Sequence, residues 1–476
     1  MLNVISILLA LVVLPGLSSV PPGETDWSRF RGPNGSGLSD TTGLPAEFGP
    51  ALNVVWKAEM PQGYSSPVVA GNRIFLTGYR GDALLTLAVD RATGKILWEK
   101  QAPRDRIEKL DKRNHPAAAS AATDGTRVFT FFGDYGLLAY DVNGKELWRK
   151  PLGPFNNIYG MGASPIIVDG LVILACDQST GSYIAAFDAK TGADRWRTAR
   201  PEAKSGHSTP IVYKPSSGPT QILLPGSFLL TAYAADSGKR LWWAGGLSFE
   251  LKSVPIIHGD TLLINGFGSG ENEPGRRVAV SPSADVFAAG DANKDGKLAA
   301  AEIPAAHKGR ALSFADLDSD AQLTVEEWNY YKAAMDSENG MLAIRLGGSG
   351  DMTDKSIKWT YRRAVPQLPS PIVYKNVLYM VNDGGIVTSL NPETGALIQQ
   401  GRLKGAIDSY YASPVAGDGK VYMASEKGKV SVLKPDGNLE PIVVNDLQED
   451  IYATPALIEG KIYLRTRGTL YCFGTK

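Results

Sequence analysis

Ala88-Val89-Asp90-Arg91-Ala92-Thr93-Gly94-Lys95-Ile96-Leu97-Trp98 is a stretch that returns, with wear, down most of the chain. Ala139, Asp141, Gly144 and Trp148 repeat it one residue shorter, and Ala186, Asp188, Thr191, Gly192 and Trp196 repeat it in full. Ala232, Ser237, Gly238 and Trp242 follow, with Ala234 in the Asp position. A degenerate copy ends at Trp359, and Asn391, Thr394 and Gly395 form another in which Gln399 replaces the Trp. The copies are preceded by Ser/Thr-x-Pro or Ser-Pro starts and two short alternating strands. A period of roughly 40–50 residues built from short strands predicts a propeller or an array.

The unit has a physical logic. The small Ala lets neighbouring strands pack closely, and Asp-x-x-Thr-Gly is a tight turn with Gly at its positive-φ position. The Trp on the outer strand lies between blades and buries a large apolar surface. The Ala-x-Asp-x-x-Thr-Gly-x-x-x-Trp unit resembles the tryptophan-docking repeat of the pyrroloquinoline-quinone-type (PQQ-like) β-propellers. That resemblance implies an all-β propeller of four-stranded blades. It leaves activity open, because quinoprotein dehydrogenases and non-catalytic assembly scaffolds share the repeat.

Outer-strand positions at Trp56, Trp98, Trp148, Trp196, Trp242, Trp359, Gln399 and a worn copy near Leu439 predict eight blades, or seven if the worn copy is irregular. Asn53 to Glu59 reads as an outer strand with nothing before it. Ala453 to Phe473 reads as three strands lacking a fourth, so the two ends are expected to complete one blade and close the ring. Residues 20–51 read as an N-terminal arm strapped across the propeller. The mixed-sign segment Arg104 to His115 reads as a solvated loop or short helix.

The chain has 476 residues with 49 basic against 49 acidic. It therefore carries no electrostatic footprint for nucleic acid or an anionic membrane. Residues 2–14 are almost wholly apolar and Pro15-Gly16-Leu17-Ser18-Ser19 follows, which reads as a secretory signal peptide over 1–19 and an extracytoplasmic protein without a membrane span once the leader is removed. The stretch is short for a span. Cys176 and Cys472 fall in apolar strands of blades three and eight, which are not adjacent, and are expected to be buried free thiols.

Trp242 and Trp359 stand 117 positions apart, against 42 for Trp56 and Trp98. The excess places an insertion at 271–340, dividing the propeller into 52–270 and 341–476. Within it, Asp291, Asn293, Asp295, Lys297 (through its carbonyl) and Glu302 meet the oxygen positions of an EF-hand loop, with Gly296 at the turn. Asp316, Asp318, Asp320, Gln322 (carbonyl), Thr324 and Glu327 make a second loop 25 residues on. There Ala321 replaces the turn glycine at a cost of about 1 kcal/mol. Val325, Trp328 and Tyr331 mark the apolar face of the exiting helix. The close spacing resembles the compact tandem loops of bacterial EF-hand and dockerin-like modules, and extracellular calcium modules bind at about 10⁻⁴ to 10⁻³ M.

In a propeller the d–a and b–c connections share one face. Repeat position maps Arg80, Asp134, Tyr135, Tyr159, Asp177, His207, Lys252, Asp383, Tyr410, Tyr411 and Arg465 there, with the calcium module standing on the same face and partly roofing the mouth. Together they are the expected site for a protein or polysaccharide partner. No haem-attachment, phosphate-loop or nucleophile-elbow motif occurs, and the four histidines are scattered. The favoured reading is a non-catalytic calcium-binding scaffold for which PQQ is not expected. The alternative is a PQQ- and calcium-dependent dehydrogenase of alcohols or sugars. The quinoprotein resemblance carries no catalytic residue here, and the vicinal disulfide of its alcohol dehydrogenases has no counterpart among two separated cysteines. Hydrolysis of a glycan or ester rests only on the ability of propellers to host sites.

Overall fold

A computed structural model describes residues 27–475; the signal peptide read over 1–19 lies outside them. Eight four-stranded antiparallel sheets form the blades. Blade 1 comprises Val68–Ala70, Arg73–Arg80, Ala83–Asp90 and Ile96–Gln101, and blades 2, 3 and 4 follow the same consecutive order. Blade 5 is Ile256–His258, Thr261–Gly266, Gly340–Arg345 and Ile357–Tyr361, with the insertion between its second and third strands. Blades 6 and 7 are again consecutive. In blade 8, Val54–Glu59 supplies the outer strand to Ala456–Ile458, Lys461–Arg465 and Thr469–Gly474, so the chain ends close the ring as the strand pattern predicts.

The repeat earns its composition in the packing between blades. Each indole N–H donates to a turn carbonyl of the next blade: Trp56 to Arg91, Trp98 to Val142, Trp148 to Ala189, Trp196 to Ala235 and Trp359 to Pro392, all at 3.0–3.1 Å. The turn glycine lies flat beneath that ring. A Cβ on Gly94 or Gly238 would stand 2.5 or 2.4 Å from the indole of the preceding blade, at φ of +76° and +69°. Glycine is thus required twice over, by conformation and by close approach.

Two blades depart from the pattern. In blade 7 the outer-strand position opposite Val432 is Val443, so the worn copy placed near Leu439 lies four residues too early. Leu439 is a buried residue of the preceding turn. Trp242 is fully buried and donates to Gln221 Oε1 of its own blade. The third connection of blade 5 is lengthened and reaches back, and Gly350–Asp351 pairs in parallel with Trp242 and Trp243 as a fifth strand.

The N-terminal arm crosses the channel. Trp27 bridges Val69 of blade 1, Asn34 exchanges hydrogen bonds with Val212 of blade 4, Arg31 donates to the carbonyl of Pro371 before blade 6 (2.8 Å), and Gly37 and Ser39 bind Ala416 of blade 7. Eleven or so residues that touch inner strands on opposite sides of a ring must pass across its axis. Arg31 is fully buried there, and burial pushes its guanidinium down to about 9.

Inner strands are knitted by the residue before each strand-entry Pro, and in blade 2 by Ser120, which precedes Ala121. Ser66 N–H donates to Ser120 Oγ, Ser120 to Ser164, Ser164 to Thr209, Val254 to Ser370, Ser370 to Ser413, Ser413 to Thr454, and Thr454 back to Ser66, at 2.9–3.0 Å. Val254 offers no hydroxyl, and the circuit is broken between blade 4 and blade 5, the blade that carries the insertion.

The inserted region holds helices Ser283–Gly290, Lys308–Ala315 and Val325–Asp336. Leu298, Ile303, Leu323, Trp328, Tyr331 and Met335 form its small core, and Phe249 of the propeller packs into it. Its stem is fixed by Asn272, which donates to the carbonyls of Ala334 and Ser337, and by Asn339, which accepts from Gly268 N–H. Cys176 and Cys472 are both buried and unpaired. Among the described residues no helix is long and apolar enough to cross a membrane.

Candidate functional site

A cavity of about 320 Å³ opens at the channel mouth. Its wall obeys a register: the residue two before the ring hydroxyl position lines it in every blade. These are Tyr64, Ala118, Gly162, His207, Lys252, Leu368, Tyr411 and Tyr452, in order from blade 1 to blade 8. Aromatic residues from blades 7, 8 and 1 therefore face His207 and Lys252 of blades 4 and 5. The small residues of blades 2 and 3 leave room that other segments fill. Phe30 of the arm contributes to the lining from within the channel, and Ser66, Ser120, Ser164, Thr209 and Thr454 contribute their side of the hydroxyl ring.

Tyr64 stacks on Tyr452 with centroids 4.0 Å apart, and Tyr411 meets Tyr452 edge-on at 5.0 Å. On the facing side Arg113 lies over the ring of Tyr159 at 5.3 Å and Lys252 at 5.4 Å. Both cations are neutralised: Arg113 Nε donates to Asp111 Oδ1 at 2.6 Å, and Lys252 pairs with buried Glu250. Arg113 holds the Asp111 carboxyl down at about 2. Burial and then Lys252 push His207 down to about 3, so its imidazole is neutral, and its buried Nε2 has no hydrogen-bond partner among the described residues. The mouth thus offers shape and hydrogen bonding in place of net charge. Among the described residues, no hydrogen bond joins a mouth Ser or Thr hydroxyl to a histidine, the pairing an activated nucleophile would need.

Of the eleven residues mapped to this face, Tyr159, His207, Lys252, Asp383 and Tyr411 line the cavity. The other six do not. Arg80 forms an exposed pair with Glu99 (3.0 Å), and Asp134 is buried against Arg104 Nε (2.7 Å). Tyr135 packs in the core beside Leu84 and Phe132. Asp177 is locked in a buried pair with Arg200 at 2.7 Å. Tyr410 turns inward to donate to the Ala406 carbonyl, and fully buried Arg465 donates to the carbonyls of Ser65, Thr77 and Pro61, tying blade 8 to blade 1. The polarity of these residues is spent on fixed partners within and between blades.

The segment Arg104 to His115 is neither helical nor freely solvated. Arg106 donates to the Gly133 carbonyl, Asn114 to that of Tyr159, and Asp111, Arg113 and Asn114 reach the cavity. Arg106 pairs with Glu108 and Arg113 with Asp111 within the segment, while Arg104 pairs with Asp82 and Asp134 outside it. The sequence signal for the wall lay in the Ser/Thr-Pro register, two residues upstream of each start.

The inserted loops stand beside the mouth: none of residues 271–340 lines the cavity. In the first loop Asp291 accepts from Asp295 and Gly296 N–H, and Glu302 reaches back to Ala292 and Ala299 N–H. The second is closely parallel: Asp316 accepts from Asp320 and Ala321 N–H, and Glu327 from Leu317 and Thr324 N–H. Asn293, Asp295, Asp318 and Asp320 each cap a later N–H of their own loop. Gly296 and Ala321 share the left-handed turn position, at φ +79° and +63°. Ligand oxygens of Asp316, Asp318 and Asp320 lie within 4.8 Å of one another. Lys297 to Ala299 pairs antiparallel with Gln322 to Thr324, which holds the loops side by side with the Lys297 and Gln322 carbonyls in that short ladder. Lys297 Nζ also pairs with Asp320 at 2.5 Å. The second loop touches the mouth's neighbour through Asn156 Nδ2, which donates to the Leu317 carbonyl at 2.8 Å.

The sequence model of the PQQ_2 family, described as outer membrane protein assembly factor BamB, matches residues 52–182, 87–264 and 180–476. The outer membrane protein assembly factor BamB of Moranella endobia (strain PCIT) is 22% identical over 389 residues, 77% of this chain and 84% of that protein. Among solved structures, BamB from Moraxella catarrhalis is similar with a TM-score of 0.56 at 13% identity, covering 89% of this chain and 97% of the other. A europium-containing methanol dehydrogenase is similar with a TM-score of 0.59 at 12% identity, over 96% and 99%. With three overlapping matches that run from the outer strand of the closing blade to the C-terminus, the chain belongs to the PQQ_2 family, that of outer membrane protein assembly factor BamB.

Proposed function

We propose that this chain is an extracytoplasmic, non-catalytic propeller that binds a protein partner through its mouth face, with two calcium ions held by the inserted loops. The observation that carries the reading is the relationship over 84% of a protein named as an outer membrane assembly factor. The apolar leader and that relative's name support a location beyond the cytoplasm. The likeness to the methanol dehydrogenase, at 12% identity, extends to the fold.

The mouth chemistry supports the same side. A quinone with its metal needs carboxylate oxygens free to converge on a cation. Here Asp111 is paired with Arg113, Glu250 with Lys252, and Asp383 Oδ1 accepts the Tyr410 N–H at 2.8 Å. The residues present do not fit PQQ and its calcium.

For calcium in the insertion the support is the donor set. Each loop brings three oxygen side chains, a ladder carbonyl and a terminal Glu, in the second loop with the Asp316, Asp318 and Asp320 oxygens within 4.8 Å of one another, and hard oxygens at this sequence spacing suit a flexible six- to eight-coordinate cage. The ions would tie the loops' helices together and hold the module upright on Phe249; no chemistry is assigned to them.

The partner reading is tested by placing a photoreactive residue at Arg113 or Lys109 on the mouth face and at Leu97 on the outer rim, in the native host. A discrete adduct with one envelope protein from the mouth positions and none from the rim is expected. Equal adducts from both positions, or none from either, would sink it.

A further inference from the structure

The mouth cavity differs on its two sides, and the difference has a chemistry. Three tyrosines from blades 7, 8 and 1 make a continuous aromatic wall, with Tyr452 in contact with both Tyr411 and Tyr64. Across the ring, blades 4 and 5 present the imidazole of His207 and the ammonium of Lys252. Small residues at the same register in blades 2 and 3 give room to Asp111, Arg113, Asn114 and Tyr159, which line the cavity between the two walls.

We propose that this cavity is a saccharide pocket, taking one or two uncharged pyranose rings stacked on the tyrosine wall with their hydroxyls directed to the His207–Lys252 wall. A pyranose has one apolar C–H face and a rim of hydroxyls that both donate and accept, which is the pattern of this cavity. The volume stands at the lower end of the range for small-molecule sites.

Three further observations carry the choice of an uncharged polyol. The cations at the mouth are already neutralised by Asp111 and Glu250, so an anion gains little from them. Ring hydroxyls such as Ser66, Ser120 and Thr209 accept a backbone N–H from the neighbouring blade, which leaves their own O–H to donate into the cavity. Buried His207 Nε2 lacks a partner among the described residues, and a buried polar nitrogen without one is destabilising. A hydroxyl serves it in either tautomer.

The pocket goes beyond the partner reading and does not depend on it. The full mature chain is screened against a defined array of neutral and anionic glycans, and glucose, galactose, mannose, N-acetylglucosamine and their disaccharides are titrated by calorimetry and saturation-transfer NMR. We expect one site per chain for at least one uncharged sugar, weakened about tenfold or more by Tyr411→Ala and by Lys252→Met. Leu97→Ser on the rim leaves binding unchanged, and circular dichroism melts report folding of every variant. The proposal is overturned if no uncharged glycan saturates up to about 50 mM, if binding survives both mouth variants, or if only anionic glycans bind.

Discussion

Cys472 stands directly opposite Trp56, on the strand pair that closes the ring. In blades 1 to 5 the residue in that place is Ala: Ala88, Ala139, Ala186, Ala232 and Ala343 face Trp98, Trp148, Trp196, Trp242 and Trp359. The thiol is thus a small apolar filler under an indole that docks on blade 1. Burial raises it to about 11.

Cys472→Ala should therefore cost less than about 1.5 kcal/mol, as a small change within an already compatible geometry. Trp56→Ala removes both the filler's cover and the bond to Arg91, and should cost about 3–5 kcal/mol. Urea melts of the three proteins compare them. Equal loss from both variants would contradict the docking account. Native Cys176 and Cys472 should also resist thiol reagents until the protein unfolds.

Glu302→Gln and Glu327→Gln should each remove one calcium site. Calorimetry on the chelator-treated chain should fall from two ions to one in either variant. Two sites remaining in both would contradict the ligand assignment.

Ala321 sits at φ +63° where the first loop has Gly296. Ala321→Gly should relieve about 0.5–1 kcal/mol of backbone strain and tighten the second calcium site by roughly two- to fivefold. A weaker site in this variant would mean that the left-handed turn is not strained.

His115 and His207 are both held neutral, at about 4 and about 3, by burial first and then by Arg465 and Arg467 for the one and Lys252 for the other. Unfolded, each takes a proton near 6.5. The unfolded chain binds more protons below that value, so stability is full above pH 6.5 and is lost as pH falls towards 4. Thermal melts between pH 7 and 4.5 should show a falling midpoint, and His207→Gln should flatten the fall. A midpoint that rises on acidification would refute the assignment.

Ring closure and blade number were legible because each is written locally: a turn glycine and a docking Trp. The blade 7 outer strand was misplaced because Val443 makes no indole dock and leaves no mark. The cavity wall was half legible. Turn residues such as Asp177 and Arg465 have the polarity of a site, yet their partners are Arg200 and the carbonyls of blade 1, far along the chain. The contribution of 104–115 depended on its fold-back onto Gly133 and Tyr159, a tertiary contact that alternating charge does not encode.

The central claim is that the mouth binds and does not oxidise. Its most direct test is calorimetric titration of the chelator-treated mature chain with PQQ, with and without calcium, followed by dye reduction with alcohols and sugars. The account predicts calcium uptake at two ions per chain, no saturable PQQ binding and no dye reduction. PQQ binding at one per chain with calcium-dependent dye reduction would contradict it.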